Sequence, residues 1–108
     1  MRASIFELRA PRDAPGHEQK ERRFAVVVQA TRLEHISTWA VVPTTSSPNV
    51  RPGLLHPMIN WGAGDSLVLC EAVQSVDPER RLAKEVGLAT FSQMQEIDRA
   101  LKFLLDLP

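Results

Sequence analysis

Two groups of side chains in this sequence have the types and spacing to act on a phosphodiester. One is the basic stretch Lys20-Glu21-Arg22-Arg23, which runs straight into the apolar segment Phe24-Ala25-Val26-Val27-Val28. The other is the hydroxyl run Thr44-Thr45-Ser46-Ser47, which leaves the apolar segment Trp39-Ala40-Val41-Val42 through Pro43. A guanidinium grips phosphate with two parallel N–H donors and stabilises the charge that grows on its oxygens during displacement. A hydroxyl beside it can hold the same group in place. RNA would bring its own nucleophile, the 2′-hydroxyl, so the protein need supply none. Both groups also have a purely structural reading: Arg23 as a solvated strand flank, and the hydroxyls as a turn with local side-chain to backbone bonds.

These residues reach one place only if two strands pair. Phe24 to Val28 is β-branched and apolar at both alternating sets of positions, as in a central strand covered on both faces. Thr38 to Val42 predicts a neighbouring strand ended by Pro43, which has no N–H for a ladder. Ile5 to Leu8 predicts a first strand. Between it and the central strand, the stretch from Pro11 to Arg23 is polar and aperiodic and predicts a long surface loop. Further strands are expected near Leu54-Leu55 or Met58-Ile59, over Ser66 to Cys70, and over Val73 to Val76, with a turn at Gly62-Ala63-Gly64-Asp65 and a stop at Asp77-Pro78. Met94, Ile97, Leu101 and Leu104 recur at helical spacing, behind a capping box at Thr90 and Gln93 and a staple from Ala89 to Met94. Five or six short strands with one terminal helix fit a small antiparallel SH3-like barrel better than a doubly wound sheet.

Composition narrows the rest. The 108 residues leave room for one domain, 1–108, and one core. Thirteen basic and thirteen acidic side chains cancel, so affinity for a polyanion must come from local clustering, such as the basic N-terminal third. Cys70 is the single cysteine, expected as a buried, inert thiol. His35 and His56 lack carboxylates or cysteines at ligand spacing, so no metal and no cofactor is expected. No apolar run approaches the roughly 18 residues of a membrane span, which predicts a soluble, cytoplasmic protein. Trp39 and Trp61 are expected as core or interface anchors.

The segment Gly16-His17-Glu18-Gln19-Lys20-Glu21-Arg22-Arg23-Phe24-Ala25-Val26-Val27-Val28 resembles the part of MazF/PemK-type toxins in which a Gly-x-Glu-Gln loop leads to Lys-x-Arg-Pro and an Ala-Val-Val strand. Val41-Val42-Pro43-Thr44-Thr45-Ser46 resembles their Val-Val-Pro-x-Thr-Ser turn. Asp65 to Glu71, Val73 to Asp77, Val86-Gly87-Leu88, Thr90 and Met94 to Leu101 are similar to their later strands, closing turn and helix. The resemblance implies an SH3-like barrel homodimer, a sequence-selective, metal-independent endoribonuclease of a type II toxin-antitoxin system, held in check by a cognate antitoxin. Carried over residue by residue, it implies catalytic roles for Arg23 and Thr45 and contact with single-stranded RNA at Glu18, Gln19, Lys20 and Ser46. His17 falls where the family often has a small residue. It is a candidate proton shuttle on chemical grounds, since arginine stays charged, with an exposed loop histidine of no role as the alternative.

The departures from the pattern are specific. Phe24 replaces the proline after the arginine, Ala3 and Ser4 replace a glycine and an acidic residue, and Ala72 replaces a glutamine. The first could change how Arg23 is aimed, and the last could remove a partner at a dimer surface. Two rival functions stand beside ribonuclease activity. One is gyrase poisoning by contact, as in the related CcdB-type fold; the other is a catalytically weakened homologue that still binds antitoxin.

Overall fold

The computed structural model describes residues 1–9, 23–62 and 64–108. The long loop expected between Pro11 and Arg22 lies outside these residues. Seven described strands form one antiparallel sheet: β1 (Ser4–Leu8), β2 (Arg23–Val27), β3 (Trp39–Thr45), β4 (Met58–Asn60), β5 (Asp65–Val68), β6 (Gln74–Val76) and β7 (Leu82–Leu88). Their order is β4-β5-β3-β2-β1-β7, and β6 pairs with β3 off this path. A short helix α1 (Pro78–Arg81) precedes β7, and helix α2 (Phe91–Leu105) closes the fold. The central position expected for β2 is observed, between β3 and β1 with Ala25, Val26 and Val27 all buried.

β3 decides the shape of the sheet. Its first half pairs with β6 (Trp39 with Val76, Val41 with Gln74), and its last residues pair with β5 (Thr44 with Val68, Thr45 with Leu67). Pro43 sits at the changeover. A proline without an N–H is expected to end the strand there, but the strand runs two residues further. In an antiparallel strand the N–H and C=O of one residue point to the same neighbour. The Pro43 carbonyl accepts from Leu69 N–H at 2.8 Å, on the side where β6 has ended and β5 begins. The missing proline N–H therefore falls where no ladder bond is needed, and β3 can carry Thr44 and Thr45 into the sheet.

Alternation along β2 and β3 separates two apolar clusters. Val26 and Val42 face the cluster with Ile5, Ile59, Val68 and the helix residues Met94, Ile97 and Ala100. Ala25, Val27 and Val41 face the other, with Val76, Leu82 and the partly buried Phe6, Leu8 and Trp39. Ile5, Ile59 and Ile97 are fully buried, and each such side chain contributes roughly 1.5–3 kcal/mol by leaving water. The helix begins as expected: the Thr90 hydroxyl accepts from Gln93 N–H at 3.1 Å, and Gln93 Oε1 accepts from Thr90 N–H at 2.8 Å. Its stripe packs on the first cluster through Met94, Ile97 and Ala100, with Leu101 half-buried beside them.

Elsewhere the structure adds to the expected elements or corrects them. β7 was not foreseen, because Lys84 and Glu85 interrupt its apolar pattern; it is an edge strand held by β1, with register shifts along the pairing. Asp77-Pro78 does more than stop β6: Asp77 caps α1, accepting from Glu79 N–H at 3.0 Å. The strand expected over Ser66 to Cys70 ends at Val68 and passes into a 3₁₀ turn over Cys70–Ala72. Of the two places offered for a strand after Val50, only Met58–Asn60 forms one. The turn beyond it relies on Gly62 and Gly64, at φ of 105° and 111°, a region that side chains rarely adopt.

Ala3 also has a positive φ, 78°. Its N–H donates to the Val27 carbonyl at 2.8 Å, and its carbonyl accepts from Ala89 N–H at 2.9 Å, so the strained residue is pinned from two sides. A Cβ in this region costs roughly 1–2 kcal/mol, which accounts physically for the glycine in the resembled pattern. Replacing Ala3 by Gly is expected to stabilise the fold by about 1 kcal/mol net of the greater unfolded-chain entropy of glycine, and to raise Tm by roughly 4–8 °C. Thermal denaturation checks this; a lower Tm would show that the strain is already relieved.

Candidate active site

Arg23 opens β2 and Thr45 closes β3, so both sit at one end of adjacent strands. The paired residues are Ala25 with Pro43, Val26 with Val42 and Val27 with Val41. Carried two residues on, the same register sets Phe24 across from Thr44 and Arg23 across from Thr45. The Thr44 hydroxyl donates to the Phe24 carbonyl at 3.4 Å, which supports the first of these pairs. On its other side Arg23 pairs with Leu8 of β1, and Thr45 pairs with Leu67 of β5. One face therefore presents the row Leu67, Thr45, Arg23, Leu8, with an exposed guanidinium and a half-buried hydroxyl between two apolar neighbours.

The hydroxyl loop is organised by its own side chains. Thr45 Oγ1 accepts from Ser47 N–H at 3.1 Å, and Ser47 Oγ accepts from Asn49 N–H at 3.2 Å. With one lone pair engaged in this way, the Thr45 hydroxyl still has a proton to donate. Ser46 between them is exposed. The loop residues expected to touch RNA, Glu18, Gln19 and Lys20, and the candidate shuttle His17, lie outside the described residues.

Phe24, which stands where the resembled pattern has a proline, is half-buried. Its ring meets Trp61 edge-on, with centroids 5.2 Å apart and planes at 66°. Trp61 in turn covers Gly87 of β7 so closely that a Cβ there would lie 2.9 Å from its ring. The residue beside Arg23 is thus fixed by an aromatic contact where the family pattern has a rigid ring. Trp39, expected as an anchor, donates from Nε1 to the Glu34 carbonyl at 3.0 Å and meets Phe6 at 6.2 Å.

Sequence reasoning missed one polar cluster next to the hydroxyl loop. His56 contacts Glu71 through Nε2 at 2.9 Å and the Arg51 carbonyl through Nδ1 at 3.1 Å. The two residues are fifteen apart in sequence, so spacing alone gave no signal. Cys70, beside Glu71, is fully buried, and burial with the Glu71 charge pushes its thiol up to about 11, which keeps it protonated. Among the described residues, no three His, Cys, Asp or Glu side chains gather as metal ligands would. No helix among them is long and apolar enough to cross a membrane.

The architecture defines a class: a small, curled antiparallel half-barrel closed by a C-terminal helix, with its polar constellation at one end of the central strands. Residues 1–105 match the family model described as PemK-like, MazF-like toxin of type II toxin-antitoxin system, and the chain belongs to that family. No curated protein is significantly similar in sequence. Among solved structures, MazF from Deinococcus radiodurans superposes with a TM-score of 0.78 at 22% identity, covering 97% of this chain and 94% of that one. An endoribonuclease in complex with its cognate antitoxin from a mycobacterial species gives 0.76 at 16% identity over 100% and 96%. The Mycobacterium tuberculosis toxin MazF-mt6 gives 0.75 at 18% identity over 97% and 98%. The SH3-like fold expected from the element order is the one these structures share.

Proposed function

We propose that this toxin-family chain is a metal-independent endoribonuclease that cuts single-stranded RNA at selected sequences, acting as a single-domain (1–108) homodimer in the cytoplasm under the control of a cognate antitoxin. The observation that carries this reading is the juxtaposition of Arg23 and Thr45 on one face at the same end of β2 and β3. The 2′-hydroxyl attacks the adjacent phosphorus, the P–O5′ bond breaks, and a cyclic phosphate and a 5′-hydroxyl result. Arg23 stabilises the charge on the pentacoordinate phosphorus, while Thr45 and Ser46 hold its oxygens. The 2′ proton must leave and the 5′ oxygen must gain one; His17 is the candidate carrier. Glu18, Gln19 and Lys20 contact the bases and backbone. Exposed apolar side chains such as Phe91 and Phe103, at 79% and 64%, give a second copy something to cover.

Purified protein with a mixed single-stranded RNA pool in excess EDTA is expected to yield fragments with 5′-hydroxyl and cyclic phosphate ends. Activity that appears only on adding a divalent ion would refute the metal-independent mechanism. No cleavage under either condition would favour a homologue that binds antitoxin without cutting.

A further inference from the structure

The His56 ring lies between two groups that only accept hydrogen bonds. Its Nδ1 is 3.1 Å from the Arg51 carbonyl oxygen, and its Nε2 is 2.9 Å from both Glu71 carboxylate oxygens. A carbonyl oxygen cannot donate, nor can an ionised carboxylate. A neutral imidazole has one N–H and can satisfy one of them. An imidazolium satisfies both.

What this ring joins is a closed circuit that begins and ends on β3. From Thr45 the chain runs through the bonds Ser47 N–H to Thr45 Oγ1, Asn49 N–H to Ser47 Oγ, and Val50 N–H to the Ser47 carbonyl, and then reaches Arg51. Glu71 stands on the Cys70–Ala72 turn. That turn is tied back by Cys70 N–H to the Leu55 carbonyl at 3.2 Å and by Leu69 N–H to the Pro43 carbonyl at 2.8 Å, two residues before Thr45. The bonds over 45–50 are local, and beyond them Gly53 and His56 bond each other while Leu55 and Pro57 are tied to Cys70 and Val68; the Arg51 carbonyl is joined to this frame through the His56 ring.

We propose that His56 is an imidazolium catch that fastens the 46–57 loop to the Cys70–Ala72 turn and so holds Thr45 and Ser46 in place. It is a positioning residue for the RNA cleavage proposed above, and its role in cleavage rests on that reading.

The charges around the ring agree. The Glu71 hydrogen bond is the main force lifting His56 above its ordinary 6.5; partial burial opposes it, and the Arg51 carbonyl and the Glu71 charge add to it. Glu71 is lowered from 4.5, first by the same bond. β3 brings no titratable group, and the Asp65 carboxylate of β5 is engaged at the far end of that strand by Asn60 Nδ2, at 2.7 Å. The adjacent Cys70 stays a neutral thiol. A raised histidine keeps its contribution below 6.5 and loses it as pH rises through the raised value. A lowered carboxylate keeps its contribution above 4.5 and loses it as pH falls through the lowered value. The catch is therefore closed between those limits and opens on the alkaline side.

The test follows wild type, His56→Gln and Glu71→Gln across pH by NMR and by single-turnover cleavage of single-stranded RNA. The His56 Cε1–H resonance of wild type should titrate above 6.5 and fall toward 6.5 in Glu71→Gln. The amides of Ser47, Asn49 and Val50 should shift with the same midpoint. Cleavage by wild type should drop roughly tenfold above that midpoint, as small misplacements of positioning groups do. His56→Gln should run at the low rate throughout, without the limb. A wild-type midpoint at or below 6.5, loop amides that ignore it, or a His56→Gln variant with the wild-type profile would overturn the proposal. Should no RNA be cut at any pH while the loop amides follow the His56 midpoint, the ribonuclease reading fails and the catch itself is supported.

Discussion

Replacing Arg23 by Ala is expected to slow RNA cleavage by about a hundredfold or more, the effect of removing one preorganised stabiliser of transition-state charge, roughly 3–4 kcal/mol. The loss should lie in the chemical step, because in the proposed mechanism the charge that Arg23 would meet grows only as the phosphorus becomes pentacoordinate. The fold should hold: Arg23 is exposed at the start of β2, and its described pairing with Leu8 is made by backbone. Its side chain leaves the buried Ala25, Val26 and Val27 untouched. Lys should restore only part of the rate, since an ammonium keeps the charge but lacks the planar two-donor fork. Single-turnover rates, with circular dichroism melts of each variant, check both halves. Unchanged cleavage by the Ala variant would place the site elsewhere on the chain.

The central part of this arrangement was legible because it rests on local pattern. A β-branched segment apolar at both alternating sets has to be covered on both faces, and β2 is; the capping box at Thr90 and the helical stripe from Met94 are short-range chemistry that tertiary packing did not override. β7 was illegible for the complementary reason. Its Lys84 and Glu85 are exposed on an edge strand whose pairing shifts register, so no alternation survives in the sequence, and only β1 gives it a place. Pro43 misled because the rule against proline in a sheet assumes a ladder on both sides, and here one side changes partner at that residue. For the site, the Arg23 and Thr45 alignment needed only one strand pairing. The His56 and Glu71 contact needed the fold of the 46–57 loop, which nothing in its Pro-rich sequence specifies in advance.

Trp61 is where stability and the candidate site meet, and replacing it by Ala is expected to cost about 2–3 kcal/mol, somewhat less than losing a large aromatic from a core because the ring is half-buried. The ring fills the space that Gly87 leaves open and gives Phe24 its edge-on partner, so its removal exposes both β7 and the flank of β2. A drop in Tm of roughly 8–20 °C should follow for a chain of this size. Gly87→Ala should destabilise through the same contact from the other side, since its Cβ would meet the ring at 2.9 Å and the ring must move. Below the melting range the Ala variant should still cut RNA more slowly, by roughly tenfold, because Phe24 is the residue next to Arg23 and a loosened Phe24 lets the guanidinium wander. Trp61→Phe should recover most of the rate, as a smaller ring can still meet Phe24 on edge. If Trp61→Ala melts within about 1 °C of wild type, the ring is a surface group, and Phe24 must be held by contacts other than Trp61.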